Sequence, residues 1–254
     1  MALTEKWKTG MKRAIKDTSV EWDKYDGVIK KEVSSYAKRF PATKQWNYKY
    51  IKAMVWIESG GPYFEKGVHW RTKPMQIGRY RADPAYGVLV KGGQNSDLIM
   101  STQLKNEIKK GGALKDPKVN IKAGIAYLYT MMIKEIEDVF DSVEYEYKAV
   151  SGDNLSKIAK KCGTTIQELK NRSKKKNDKI AIGESLKYRK LVKRRPKSFK
   201  FFTAVNIANN YNYDYGSRRN KKTVSLKNGK KPGDPYYHEK ITYLIKDIFP
   251  KRKS

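Results

Sequence analysis

The run Ile51-Lys-Ala-Met-Val-Trp-Ile-Glu58-Ser59-Gly60-Gly61 sets one carboxylate at the end of an apolar stripe. Ile51, Met54, Val55 and Glu58 recur at i, i+3, i+4 and i+7, so the spacing predicts one face of a helix. Gly60, Gly61 and Pro62 stop that helix within a turn of the acid. A carboxyl group on the buried face, beside a loop that forms a cleft, loses part of its hydration and its pKa rises. That is what a general acid needs near neutral pH. A lone Glu at a helix end more often turns to solvent or pairs with a lysine. Its surroundings must decide.

The elements that position this acid are mostly helices. Two amphipathic helices are expected at about 4–17 and 21–39, the second with Trp22, Tyr25, Val28, Ile29, Val33 and Tyr36 as its core stripe. The helix carrying Glu58 starts near residue 46, and the Gly- and aromatic-rich segment 60–80 reads as loop and short strand lining a cleft. Asp83-Pro84 and Gly92-Gly93 mark turns, and a helix near 95–109 ends at Gly111-Gly112. After Asp116-Pro117, Ile121, Gly124, Ile125, Leu128, Met131 and Met132 describe a buried helical stripe.

With those elements in place, the chain from Glu58 onward resembles the goose-type lysozyme and soluble lytic transglycosylase superfamily. Glu58-Ser59 matches the family's Glu-Ser pair at a helix end. Pro74-Met75-Gln76-Ile77-Gly78 is similar to its Gly-Leu-Met-Gln-Ile/Val segment, with Lys73-Pro74 in place of the usual Gly-Leu. Asn120-Ile-Lys-Ala-Gly124-Ile-Ala-Tyr127-Leu128 resembles the next helix of the family, Asn-(Ile/Val)-x-x-Gly-x-x-Tyr-Leu. Tyr211-Asn212 stands where the family has a Tyr-Asn element, and Tyr237 where it has a final aromatic.

The resemblance implies a mainly α, lysozyme-like (α+β) catalytic domain that cleaves the β-1,4 bond between N-acetylmuramic acid and N-acetylglucosamine. Glu58 is then the catalytic acid, with Ser59, Met75, Gln76, Tyr211 and Tyr237 as substrate-binding residues. A lytic transglycosylase closes a 1,6-anhydro ring and lets one carboxyl group serve as acid and then base. A hydrolytic muramidase of the inverting type needs a second carboxylate about 6.5–9.5 Å away. Glu65 and Asp83 are the candidates for that second group, and neither sits in a supporting motif. The transglycosylase reading leads, with hydrolysis close behind it.

Composition changes near residue 143. Tyr145-Glu-Tyr-Lys-Ala-Val150-Ser-Gly-Asp153-Asn-Leu155-Ser-Lys-Ile158-Ala159 gives a short strand, a cap and the inward face Leu155, Ile158 and Ala159. Cys162-Gly163-Thr164-Thr165-Ile166-Gln-Glu-Leu169 supplies a turn and a second helix, and Lys179 to Tyr188 a closing strand. This segment resembles a LysM module of βααβ form. The resemblance implies binding of N-acetylglucosamine-containing glycans through Ser151, Gly152, Asp153, Asn154, Ile180, Ala181 and Ile182. The module, 144–189, is thus expected as an insertion in a discontinuous catalytic domain, 1–143 and 190–254. Lys190 to Lys200 reads as the linker back, followed by helices over about 198–212 and 236–248.

Charge and residue counts narrow the classes. Fifty-six Lys and Arg against 26 acids over 254 residues give a net charge of +30, which favours a polyanionic partner. No nucleic-acid motif accompanies the charge, so no specific nucleic-acid partner is expected. A single cysteine excludes an intramolecular disulfide framework. His69 and His238 are the only histidines, which argues against a zinc site and a histidine-dependent triad; no cofactor and no metal are expected. No apolar stretch is long enough to span a membrane, and the first residues lack an apolar signal segment. Peptidoglycan strands are the expected partner, reached with delivery machinery, as for a phage endolysin with its holin or an effector carried by a secretion system. The effector case adds an immunity or inhibitor protein. A non-catalytic wall-binding protein is the alternative from a different class.

Overall fold

The computed structural model describes residues 5–17, 21–62, 64–78, 83–211, 234 and 236–251. The chain is mostly helical with two small two-stranded sheets, and it divides into two compact units, 1–134 with 198–254, and 135–197. Asn212 and the Glu65 side chain lie outside the described residues.

In the larger unit, α1 (Glu5–Ala14) and α2 (Asp26–Arg39) precede α3 (Tyr48–Ser59). Asn47 caps α3 by accepting a hydrogen bond from the Lys49 N–H at 2.9 Å. The apolar face of α3 goes fully into the core at Ile51, Met54 and Val55. So does Lys52, against the usual rule for lysine. Its ammonium is ion-paired with Asp23 and with Asp26 at 2.9 Å, and it lies over the rings of Trp56 and Phe249. This pairing satisfies a buried charge and ties α3 to α2.

Segment 60–80 holds no strand among its described residues: a 3-10 turn, Phe64–Gly67, leads into the short helix α4 (Val68–Thr72). Asp83-Pro84 opens a helix, α5 (Pro84–Lys91), because Asp83 caps it and Pro fits the first turn, where no backbone donor is missed. The helix expected at 95–109 is split into a 3-10 segment, Gly93–Leu98, and α6 (Thr102–Lys109), with Ser101 capping the latter. After α7 (Gly112–Lys115), the central helix α8 (Pro117–Met131) is buried along almost its whole length. It packs against α2, α5, α6 and α7.

Most of β1 (Ile133–Phe140) and of β4 (Leu191–Phe199), which pair with each other, falls at the two ends of the smaller unit. The Asp141 N–H bonds the Lys190 carbonyl at one end, and Arg194 and Arg195 meet Asp138 and Glu137 further along, so the two strands run antiparallel. Lys190 to Lys200, expected as a linker, is therefore mostly a strand. Charge density alone does not reveal a partner 56 residues away in the chain.

Inside that ribbon lie β2 (Tyr145–Lys148), α9 (Leu155–Cys162), α10 (Ile166–Arg172) and β3 (Ser185–Tyr188). Strands β2 and β3 pair antiparallel, with Tyr145 opposite Tyr188 and Lys148 opposite Ser185. Leu155, Ile158, Cys162, Leu169 and Leu186 form their small core. The chain then returns to the larger unit in α11 (Ala204–Tyr211) and α12 (Tyr237–Tyr243), both packed on earlier helices of that unit.

Candidate functional site

Glu58 sits on the last turn of α3, and the chain reverses immediately behind it. The Ser59 hydroxyl donates to the Val55 carbonyl at 2.6 Å and accepts from the Gly61 N–H at 3.0 Å. Ser59 thus holds the helix end and leaves little for a ligand. Gly61 adopts φ +70°, and a Cβ there would stand 2.2 Å from the Trp22 ring, so only glycine fits.

Helix α8 carries the loop that faces the acid. The fully buried Asn120 accepts from the Met75 N–H at 2.8 Å and donates to the carbonyls of Ile77 at 2.9 Å and Ala113 at 2.7 Å. One turn on, Gly124 makes room for Met75: a Cβ at Gly124 would lie 2.6 Å from the Met75 Cβ. Held at both neighbours, Gln76 takes φ +55°, a left-handed conformation costly for a residue with a side chain. Its amide donates to the Glu58 carbonyl at 2.8 Å. The Tyr211 hydroxyl donates to the Met75 carbonyl at 2.8 Å, and its ring meets Tyr127 edge-on with centroids 5.5 Å apart. Glu58, Ser59, Met75, Gln76 and Tyr211, from three separate stretches of sequence, are thus assembled at one place.

Tyr237 closes the group from α12. Its hydroxyl is buried against the Glu58 carboxyl, near enough to lower the acid's pKa but without a hydrogen bond of ordinary geometry. Burial pushes Glu58 up to about 7, and the negative charges of Asp234 and Asp83 add to the rise, while Tyr237 and Lys240 oppose it. Burial and the same acid hold the hydroxyls of Tyr211 and Tyr237 well above the usual tyrosine range. Both therefore remain neutral beside Glu58.

Among the described residues, the two carboxylates whose charge acts on Glu58 are already engaged. Asp83 accepts from the Ala85 N–H at 2.9 Å and also from the Gly78 N–H. Asp234 accepts from the Tyr236 N–H at 3.0 Å and pairs with Lys240 at 2.6 Å. Sequence reasoning missed Asp234 and Lys240. The only local signal, an Asp before Pro235, marks the start of a helix and nothing more.

In the smaller unit the two expected loops adjoin. Ala149 accepts from the Gly183 N–H at 2.7 Å and donates to the Glu184 carbonyl at 2.9 Å. Asp153 accepts from the Val150 N–H at 3.0 Å and the Tyr147 hydroxyl at 2.9 Å, and Asn154 caps α9 through the Lys157 N–H at 2.9 Å. Both side chains therefore shape the loop from within. Ser151, Gly152 and Ala181 are exposed, Ile180 is half-buried, and Ile182 is 76% exposed; Val150, which the sequence reading passed over, is exposed as well.

The order strand, capped helix, Gly163 turn, capped helix and strand matches a family model described as LysM domain over residues 147–188. Residues 147–188 are a LysM domain. The match associates the chain with peptidoglycan. Comparison with curated proteins and with solved structures gives no match. Among the described residues, no helix is long and apolar enough to cross a membrane.

The LysM domain has its own electrostatic anchor. Glu168 is 6% exposed, and one of its oxygens accepts from Arg189 at 2.7 Å and from Arg172 at 3.1 Å. Burial pushes its pKa up, but the two guanidinium groups outweigh this and hold it below the usual carboxylate value. Glu168→Ala should cost the LysM domain about 2 kcal/mol, less than a fully buried pair because both arginines reach solvent. Backbone amide exchange in residues 147–188 would register the loss. The tryptophan-reported unfolding of the larger unit, which holds all five tryptophans, should not move.

Proposed function

We propose that the chain is a peptidoglycan glycosidase that cleaves the β-1,4 bond between N-acetylmuramic acid and N-acetylglucosamine, acting as a lytic transglycosylase. The observation that carries this reading is Glu58, held near neutral pKa by burial and surrounded by Gln76, Tyr211 and Tyr237. A carboxyl group with pKa about 7 is half-protonated at neutral pH and serves equally as donor and acceptor of one proton. The LysM domain supports the same target, since it brings the chain to peptidoglycan.

In this reading protonated Glu58 gives its proton to the glycosidic oxygen, and the bond from that oxygen to the muramic C1 breaks. The muramic 6-hydroxyl attacks C1 and returns its proton to the Glu58 carboxylate. The products are a 1,6-anhydromuramic end and a free N-acetylglucosamine hydroxyl, with no water consumed. Transglycosylation is favoured over hydrolysis because Asp83 and Asp234, the described carboxylates that act on Glu58, are committed to backbone amides and to Lys240.

Mass spectrometry of the soluble products from purified peptidoglycan tests the proposal. Anhydro-muropeptides are expected. Reducing-end products without the anhydro ring would replace the mechanism with hydrolysis, and Asp83 or Asp234 would then have to activate water. No products at all would leave glycan binding by the LysM domain as the function.

A further inference from the structure

A cavity of about 580 Å³ opens at Glu58, within the size range of small-molecule sites. Ile57, Glu58, Ser59 and Gly60 line it on one side, and Lys6, Trp7, Gly10, Met11 and Ala14 of α1 on the other. The five α1 residues fall on one helical face. The walls are largely apolar, with Trp22 and Trp56 among them, and Lys6, Glu58, Ser59 and His69 are the polar side chains among the described lining residues.

Helix α1 is docked on the helix that brings Tyr237 to the acid. Trp7 meets Tyr243 edge-on with centroids 5.9 Å apart, and the Lys240 ammonium lies 5.2 Å above the Trp7 ring. Gly10 is the odd residue on this face. Glycine is among the poorest helix formers, yet beyond its chain neighbours and its own helix backbone no described atom lies within 4 Å of where its Cβ would be, so neither packing nor backbone conformation requires it. What the missing side chain leaves is room in the cavity.

We propose that the Lys6, Trp7, Gly10 and Met11 face of α1 is a second wall of the glycan cleft, with Gly10 admitting an N-acetylhexosamine unit beside the cleaved bond. This rests on the glycosidase reading. The sugar's apolar ring face and acetamido methyl group suit Trp7 and Met11, and its polar edge suits the end of the cavity that holds Glu58.

The test uses the full chain with Gly10→Phe and Gly10→Leu, which fill the cavity, and Gly27→Phe as control. Gly27 lies on α2 with equally open space and does not line the cavity. Thermal melting establishes that each variant folds. Tryptophan fluorescence with an N-acetylglucosamine hexamer reads binding at the larger unit alone, because the LysM domain contains no tryptophan. Both Gly10 variants should lose affinity and raise KM for peptidoglycan by about tenfold or more, and Gly27→Phe should do neither. Unchanged binding and turnover in a folded Gly10 variant would overturn the proposal while leaving an active wild type, and hence the glycosidase reading, intact. If the wild type proves inactive, the glycosidase reading fails. The wall then stands or falls on whether filling the cavity removes the fluorescence response to the hexamer.

Discussion

Glu58→Gln should lower the release of soluble fragments from peptidoglycan by about 100- to 10,000-fold, the loss expected when a general acid is deleted, while sedimentation with intact peptidoglycan should persist through the LysM domain. Glutamine keeps the shape of the side chain but has no proton to give at any pH. The wild-type activity should fall on the alkaline side as pH rises through about 7, because the deprotonated carboxylate cannot start the reaction. The same group makes a linked prediction about folding. Its folded pKa lies above the ordinary 4.5, so the native state binds the proton more tightly than the unfolded chain does. The stability due to protonated Glu58 is full below about 4.5 and is lost as pH rises to about 7. Glu58→Gln does not titrate, so its melting temperature relative to wild type should rise across that window and then level off. A flat difference would mean that the carboxyl is hydrated in the native state, and the general-acid assignment would lose its footing.

Asn120→Ala should be the most destabilising polar substitution in the larger unit, by about 3–5 kcal/mol. The change leaves the Met75 N–H and the carbonyls of Ile77 and Ala113 buried without their partner. Each such group costs about 1–3 kcal/mol, and adjacent losses are not fully additive. A typical domain has only about 5–15 kcal/mol in total, so the variant sits close to its unfolding threshold. Asn120→Asp should fare no better, since a carboxylate oxygen would then face two carbonyl oxygens. Urea unfolding followed by tryptophan fluorescence reads this unit selectively. Folded Asn120→Ala should also lose activity beyond its loss of stability, because Gln76 keeps φ +55° only while its two neighbours are held. Stability within 1 kcal/mol of wild type, about the worth of a single ordinary hydrogen bond, would refute this account of Asn120.

Much of the chain was legible because its signals are local. The period of Ile51, Met54 and Val55 and the Gly60-Gly61 stop mark α3 within 11 residues of one another. The LysM domain was readable from capped helices, a Gly163 turn and inward-facing Leu155 and Ile158, all within about 45 residues. The segment around Asp83 misled because a cap followed by proline reads equally as a turn or a helix start. Lys190 to Lys200 misled because a run of cations resembles a linker until the acidic strand that pairs with it is known.

The sequence by itself determined most of the helices, though not α4 or α5, a LysM-like module at about 144–189, and that Glu58 ends an apolar helix beside a glycine turn. Only the tertiary structure decided what Glu58 experiences there. Its pKa depends on the loss of water and on charges at Asp234, Lys240 and Asp83, which lie between 25 and 182 residues away in the chain. Neither desolvation nor a Coulomb interaction leaves a trace in local spacing, since both depend on distances through space that the packing of α3, α8 and α12 sets.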